Sequence, residues 1–96
     1  MSVFEEIYMD CMNAVQEEMQ LPDGWIQSRT ETCTDARCIL IQCLLRKGMS
    51  RDYICRRTGI AKSSVKSHAN GFSARIASRQ MMKMAWARIG RELGLK

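Results

Sequence analysis

A glycine set between two short amphipathic segments does most to limit what this chain can fold into. In the run Gly48-Met-Ser-Arg-Asp-Tyr-Ile-Cys-Arg-Arg-Thr-Gly-Ile-Ala-Lys-Ser-Ser-Val-Lys-Ser-His68, Ile54 and the small Cys55 lie on a first helix. Gly59 and Ile60 lie at a turn, and Val65 on a second helix. A helix-turn-helix requires that order. A bulky side chain at 55 would push the helices apart, and a side chain at 59 would resist the left-handed backbone that glycine adopts freely. Apolar residues at 54, 60 and 65 close the angle between the helices. The second helix begins Lys62-Ser63-Ser64 and carries Lys66, Ser67 and Asn70, a composition suited to phosphates and base edges.

The rest of the chain agrees with a helical reading. Ninety-six residues make one small domain. One proline and six glycines leave little room for many turns. Aromatic and β-branched residues are too scattered for a strand pattern. The expectation is an all-α domain of about five helices: a trihelical helix-turn-helix core with an added helix at each end. Within the single domain 1–96, residues 1–32 form an acidic amphipathic helix and linker, 33–77 the core, and 78–96 a C-terminal helix.

Charge is divided more unevenly than the net +5 indicates. Residues 1–32 hold seven acids and one base, Arg29, for a net of −6, whereas residues 33–96 hold three acids and fourteen bases, for a net of +11. A basic segment that also carries the helix-turn-helix pattern fits a polyanion partner. The plainer alternative is a solvated basic face.

Cysteine usage excludes more than it suggests. Cys11, Cys33, Cys38, Cys43 and Cys55 form no C-x-x-C pair, and with one histidine they make no zinc set. Cys43 and Cys55 lie among apolar neighbours, where a free cysteine acts as a small core residue. Reduced thiols in a cytoplasmic protein are expected, with redox sensing as the lesser alternative. Glu5 and Glu6 interrupt any signal-peptide pattern, and no apolar run approaches a membrane span. No acid sits at catalytic spacing from His68 and no glycine-rich phosphate loop exists, so neither an enzyme nor a cofactor is expected.

Along the chain, residues 2–20 read as a helix capped by Ser2, with Glu5 completing a capping box. Phe4, Ile7, Tyr8, Cys11, Met12, Val15 and Met19 form its apolar stripe. Leu21-Pro22-Asp23-Gly24 ends it, and Trp25 anchors a linker reaching about Thr32. Thr34 or Asp35 caps a helix to about Lys47 that buries Ile39, Leu40, Cys43 and Leu44, and Gly48 stops it. Ser50 caps a helix over 51–58. The recognition helix spans about 62–76, with Val65, Ala69, Phe72 and Ile76 buried and Lys62, Ser63, Lys66, Ser67, Asn70 and Ala74 projecting. A last helix, about 79–93, turns Met81, Met84, Ala85, Ile89 and Leu93 inward, with Trp86 nearby.

The run Thr34-Asp-Ala-Arg-Cys-Ile-Leu-Ile-Gln-Cys-Leu-Leu-Arg-Lys-Gly-Met-Ser50, followed by Ile54, Gly59-Ile60 and Val65-Lys66-Ser67-His68, resembles the LuxR/GerE-type helix-turn-helix domain over about residues 33–77. Val-Lys-Ser-His is the most specific part. Tyr53, Thr58 and Ala61 depart from the family pattern, which usually has an acid, a leucine and a capping serine there. DnaA-like, sigma-region-4-like and PapB-like fimbrial-regulator domains share the trihelical arrangement and stay open as alternatives. The resemblance implies a bacterial DNA-binding regulator. It implies base-edge contacts from Lys66, Ser67 and Asn70, and phosphate contacts from Lys62, Ser63 and Ser64 near the helix start. Arg75 and Arg79 would reach the flanking backbone. His68 matches the family's histidine and is read as a packing residue rather than a ligand or base.

Two function classes follow. The first is a small stand-alone transcription regulator that binds double-stranded DNA sequence-specifically. The second is a protein-interaction module whose acidic N-terminal helix binds another regulator or a polymerase on a retained helix-turn-helix scaffold. A contact between that acidic helix and the basic recognition face, blocking it, is a weaker third reading. The outer helices, 2–20 and 79–93, either pack on each other within one chain or serve a homodimer interface, and the two are compatible.

Overall fold

Residues 36–44 present apolar side chains around the whole circumference of a helix, and such a segment is stable only when other helices cover it on every side. The computed structural model, which describes residues 2–95, is built around that requirement. Its elements are α1 (Val3–Met19), a 3-10 turn (Trp25–Gln27), α2 (Glu31–Arg46), α3 (Arg51–Thr58), α4 (Lys62–Ser78) and α5 (Gln80–Leu93). The expected all-α fold of five helices is present, and no strand occurs among the described residues. None of the helices there is long and apolar enough to cross a membrane. Central α2 buries Ile39, Leu40, Ile41, Cys43 and Leu44 completely. α1 and α5 pack on each other and on α2; α3 and α4 do the same. The outer helices therefore form intramolecular core.

Local chemistry explains where the elements begin and end. Ser2 Oγ accepts the Glu5 amide at 3.1 Å, as expected of a cap. The reciprocal half of the capping box is missing because the Glu5 carboxylate pairs with Arg57 on α3. The Arg57 guanidinium also lies 4.2 Å over the Tyr8 ring, so α3 is tied to α1 by charge and by ring. Trp25 is buried and holds the linker on the core.

Three boundaries or faces differ from expectation. α2 begins at Glu31, not at Thr34 or Asp35: Thr30 is the cap, its Oγ1 accepting the Cys33 amide at 3.3 Å. The run Thr30-Glu-Thr-Cys-Thr-Asp35 offers several oxygen-bearing caps, and periodicity does not choose among them. On α5 the inward methionine is Met82, which is fully buried, whereas Met81 is 78% exposed and Met84 also faces outward. Met82 lies seven residues before buried Ile89, nearly two whole turns, while Met81 lies eight before and is rotated off that face. Phe4 is exposed rather than inward, and its ring meets Tyr53 of α3 at 5.8 Å.

Asp35, four residues beyond Glu31, faces the core margin with only 4% of its surface exposed. Its Oδ1 accepts Arg75 Nε and its Oδ2 accepts Arg79 Nε, each at 2.7 Å. Arg79 also reaches Glu31 at 2.6 Å. A buried carboxylate without its partners is costly, so this cluster pins the end of α4 to the start of α2. Arg79 is the single residue between α4 and α5, closing one helix and opening the next.

Replacing Asp35 by Asn should lower unfolding free energy by about 2 kcal/mol, below the range for a fully buried pair because both arginines are partly solvated. Met81→Gln on the exposed face of α5 should change it by less than about 0.5 kcal/mol. Urea denaturation of the two variants checks both values.

Candidate nucleic-acid interface

The helix-turn-helix forms as the residues dictate. Gly48, at φ +92°, lets the chain leave α2, and Ser50 Oγ accepts the Tyr53 amide at 3.1 Å to start α3. Gly59 takes φ +79° and its amide donates to Cys55 O at 2.9 Å. No atom would meet a Cβ at 59, so the need for glycine there is one of backbone conformation alone. Ile54 and Val65 are completely buried, and Cys55 and Ile60 are half-buried against the same core.

Thr58 does work that the sequence did not suggest. Its Oγ1 donates to Ile54 O at 2.6 Å and accepts the Ile60 amide at 3.2 Å. One buried hydroxyl thus stitches the last turn of α3 to the turn that follows. A helix-end threonine two residues before a turn amide was the available signal.

α4 divides cleanly by face. Val65 and Phe72 are buried, with Ala69 and Ile76 packed at the margin. The Phe72 ring meets Trp86 of α5 edge-on at 4.9 Å. Lys62, Ser63, Lys66, Ser67 and Asn70 are exposed, and Ser64 is half-buried. Lys62 Nζ lies 3.2 Å from Asp52 Oδ1, with both side chains over 70% exposed; such a pair is weak and readily exchanged for another anion. The first turn has no side-chain cap, because Ala61 occupies the cap position. Gly71 does not interrupt the helix.

Arg75 Nε and Arg79 Nε both donate to Asp35, so each guanidinium is partly committed within the fold. The acidic helix does not cover the recognition face: α1 packs on α2 and α5, and its Glu5 and Glu18 pair with Arg57 and Arg88.

His68 is half-buried beside the apolar stripe. Burial and then the charges of Arg37 and Arg75 hold its imidazole below the usual histidine range. Cys38 Sγ donates to His68 O at 3.4 Å. Burial pushes the thiols of Cys11 and Cys38 up to about 11, and that of Cys43 higher still. Little thiolate is then available for redox chemistry at those three positions. The five cysteines are free thiols. Among the described residues no cluster of His, Cys, Asp and Glu could hold a metal ion. Comparison with protein-family models, with curated proteins and with solved structures finds no match to this chain.

Ala61→Ser should raise unfolding free energy by about 1 kcal/mol by supplying the missing cap, read as a higher denaturant midpoint at unchanged slope. His68 gives a pH signature. Because its folded pKa is depressed, the unfolded chain takes up the proton first as pH falls. Its contribution is full above about pH 6.5 and is lost as pH drops through the folded value. His68→Asn should flatten stability over that window, and an NMR titration of the ring in the folded chain should report a midpoint below that of a free histidine.

Proposed function

We propose that this chain binds duplex DNA sequence-specifically, as a small transcription regulator that lays α4 in the major groove. The observation that carries the reading is the division of α4. An apolar stripe seats it on the core, and Lys66, Ser67 and Asn70 stand together on the solvent side, in a chain that is strongly basic from residue 33 onward. Those side chains have the donors and acceptors that base edges require: a lysine for guanine O6 and N7, an asparagine for adenine N6 and N7. Lys62, Ser63 and the uncapped first turn suit a phosphate, since open amides at a helix start favour anions. The resemblance of residues 33–77 to LuxR/GerE-type domains points to the same helix. Arg75 and Arg79 are partly committed to Asp35 within the fold.

Selection of bound fragments from a random or genomic duplex pool at low and moderate salt tests the reading. The wild type should enrich a defined site, with affinity falling steeply as salt rises. Lys66→Ala should cost ~10-fold at that site and relax the base preference at one position. An unenriched pool, together with a Lys66→Ala variant indistinguishable from wild type, would sink the proposal.

A further inference from the structure

The N-terminal third of the chain holds a single base, Arg29, in a segment whose other charged residues are acids. The fold carries it to the recognition helix. Residues 25–29 form a strap from the Trp25 anchor to the Thr30 cap. Arg37 of α2 locks the strap in place: its guanidinium donates to Ile26 O at 3.0 Å, to Ser28 O, and to Thr34 Oγ1 at 3.0 Å. Arg37 thus spends its hydrogen bonds on neutral oxygens, and no carboxylate among the described residues pairs with it.

Between strap and helix-turn-helix lies an open groove of about 310 Å³, walled on one side by Ser28, Arg29 and Arg37 and on the other by Gly59, Ser64 and His68. No acid lines it. Arg29 is exposed there and has no ion-pair partner among the described residues. Arg29, Arg37, Ser64 of α4 and His68 therefore line one open concavity beside the helix that would enter DNA. The surrounding positive charge lacks a counter-ion from the protein itself, unlike the arginines at 57, 75, 79 and 88.

We propose that this groove is a second DNA contact, seating a backbone phosphate that flanks the major-groove site, with Arg29 as the charged contact, Ser64 as a hydroxyl donor and Arg37 as the residue that positions the strap. The inference rests on the DNA-binding reading and adds to it a contact from outside the helix-turn-helix. A phosphodiester fits the site because it is singly charged and presents oxygens to more than one donor. A free phosphate ion shares that chemistry, and the test separates the two.

Fluorescence anisotropy with one mixed-sequence duplex, over a series of salt concentrations, compares wild type with Arg29→Ala, Arg29→Lys, Lys66→Ala and Lys83→Ala. The slope of log affinity against log salt should fall by about 0.9 on Arg29→Ala, the loss of one neutralised phosphate. It should recover with Arg29→Lys and stay unchanged with Lys83→Ala, a solvated lysine on α5. The His68 ring resonances should shift when duplex is added and stay in place with millimolar inorganic phosphate. If Arg29→Ala leaves the slope unchanged while Lys66→Ala lowers it, the groove contact is wrong and the DNA-binding reading stands. A His68 response to inorganic phosphate but not to duplex would make the groove a small-anion site and overturn the proposal. If the wild type does not bind duplex even at low salt, both readings fall together.

Discussion

Everything in this fold depends on covering α2. A helix that is apolar all round cannot lie on a surface, so four others must close over it, and each is then placed by the side of α2 it covers. Ile39, Leu40, Ile41 and Leu44 are each worth about 2 kcal/mol when removed from water, and they look in different directions. α1 and α5 are drawn together over one part of that surface, and α3 and α4 over another. The helix-turn-helix is thus not an independent unit with decorations. The helix that precedes it, α2, is the axle of the whole domain.

α4 is held by different means along its length. Its C-terminal end is clamped by Asp35 through Arg75 and then by the one-residue joint at Arg79. Its first turn is seated by the completely buried Val65 and its middle by Phe72. That first turn has no side-chain cap, and the Thr58 hydroxyl orders the turn that precedes it.

Much of this arrangement could be read from residue pattern. Ser2, Ser50, Gly48 and Gly59 mark boundaries through local chemistry that does not depend on distant neighbours, and the structure places the boundaries there. The apolar spacing of Val65, Ala69, Phe72 and Ile76 correctly chose the buried side of α4. Errors arose where several residues were locally equivalent. Thr30, Thr32, Thr34 and Asp35 can each cap a helix, and only the tertiary demand that Asp35 meet two arginines settles the choice. Met81, Met82 and Met84 are equally apolar, and only the seven-residue spacing from Ile89 to Met82 singles out the one that is covered. The partners of Arg75 and Arg79 lie more than 30 residues away, beyond any local rule. Arg29 was invisible as a site residue for the same reason: only the folded strap brings it beside α4.

The ion pairs sort the charge of the molecule. Seen as sequence, the chain is an acidic third followed by a basic remainder. Folded, the acids Glu5, Glu18, Glu31 and Asp35 meet Arg57, Arg88, Arg79 and Arg75. Those four arginines each have a carboxylate partner, while Arg29 and Lys66 have none among the described residues. The acidic third therefore serves as an internal counter-charge for the arginines of α3, α4 and α5 rather than as a separate surface. Removing Glu18 or Glu31 would release an arginine on α5 or at its start, and so add positive charge to the surface without touching α4 itself.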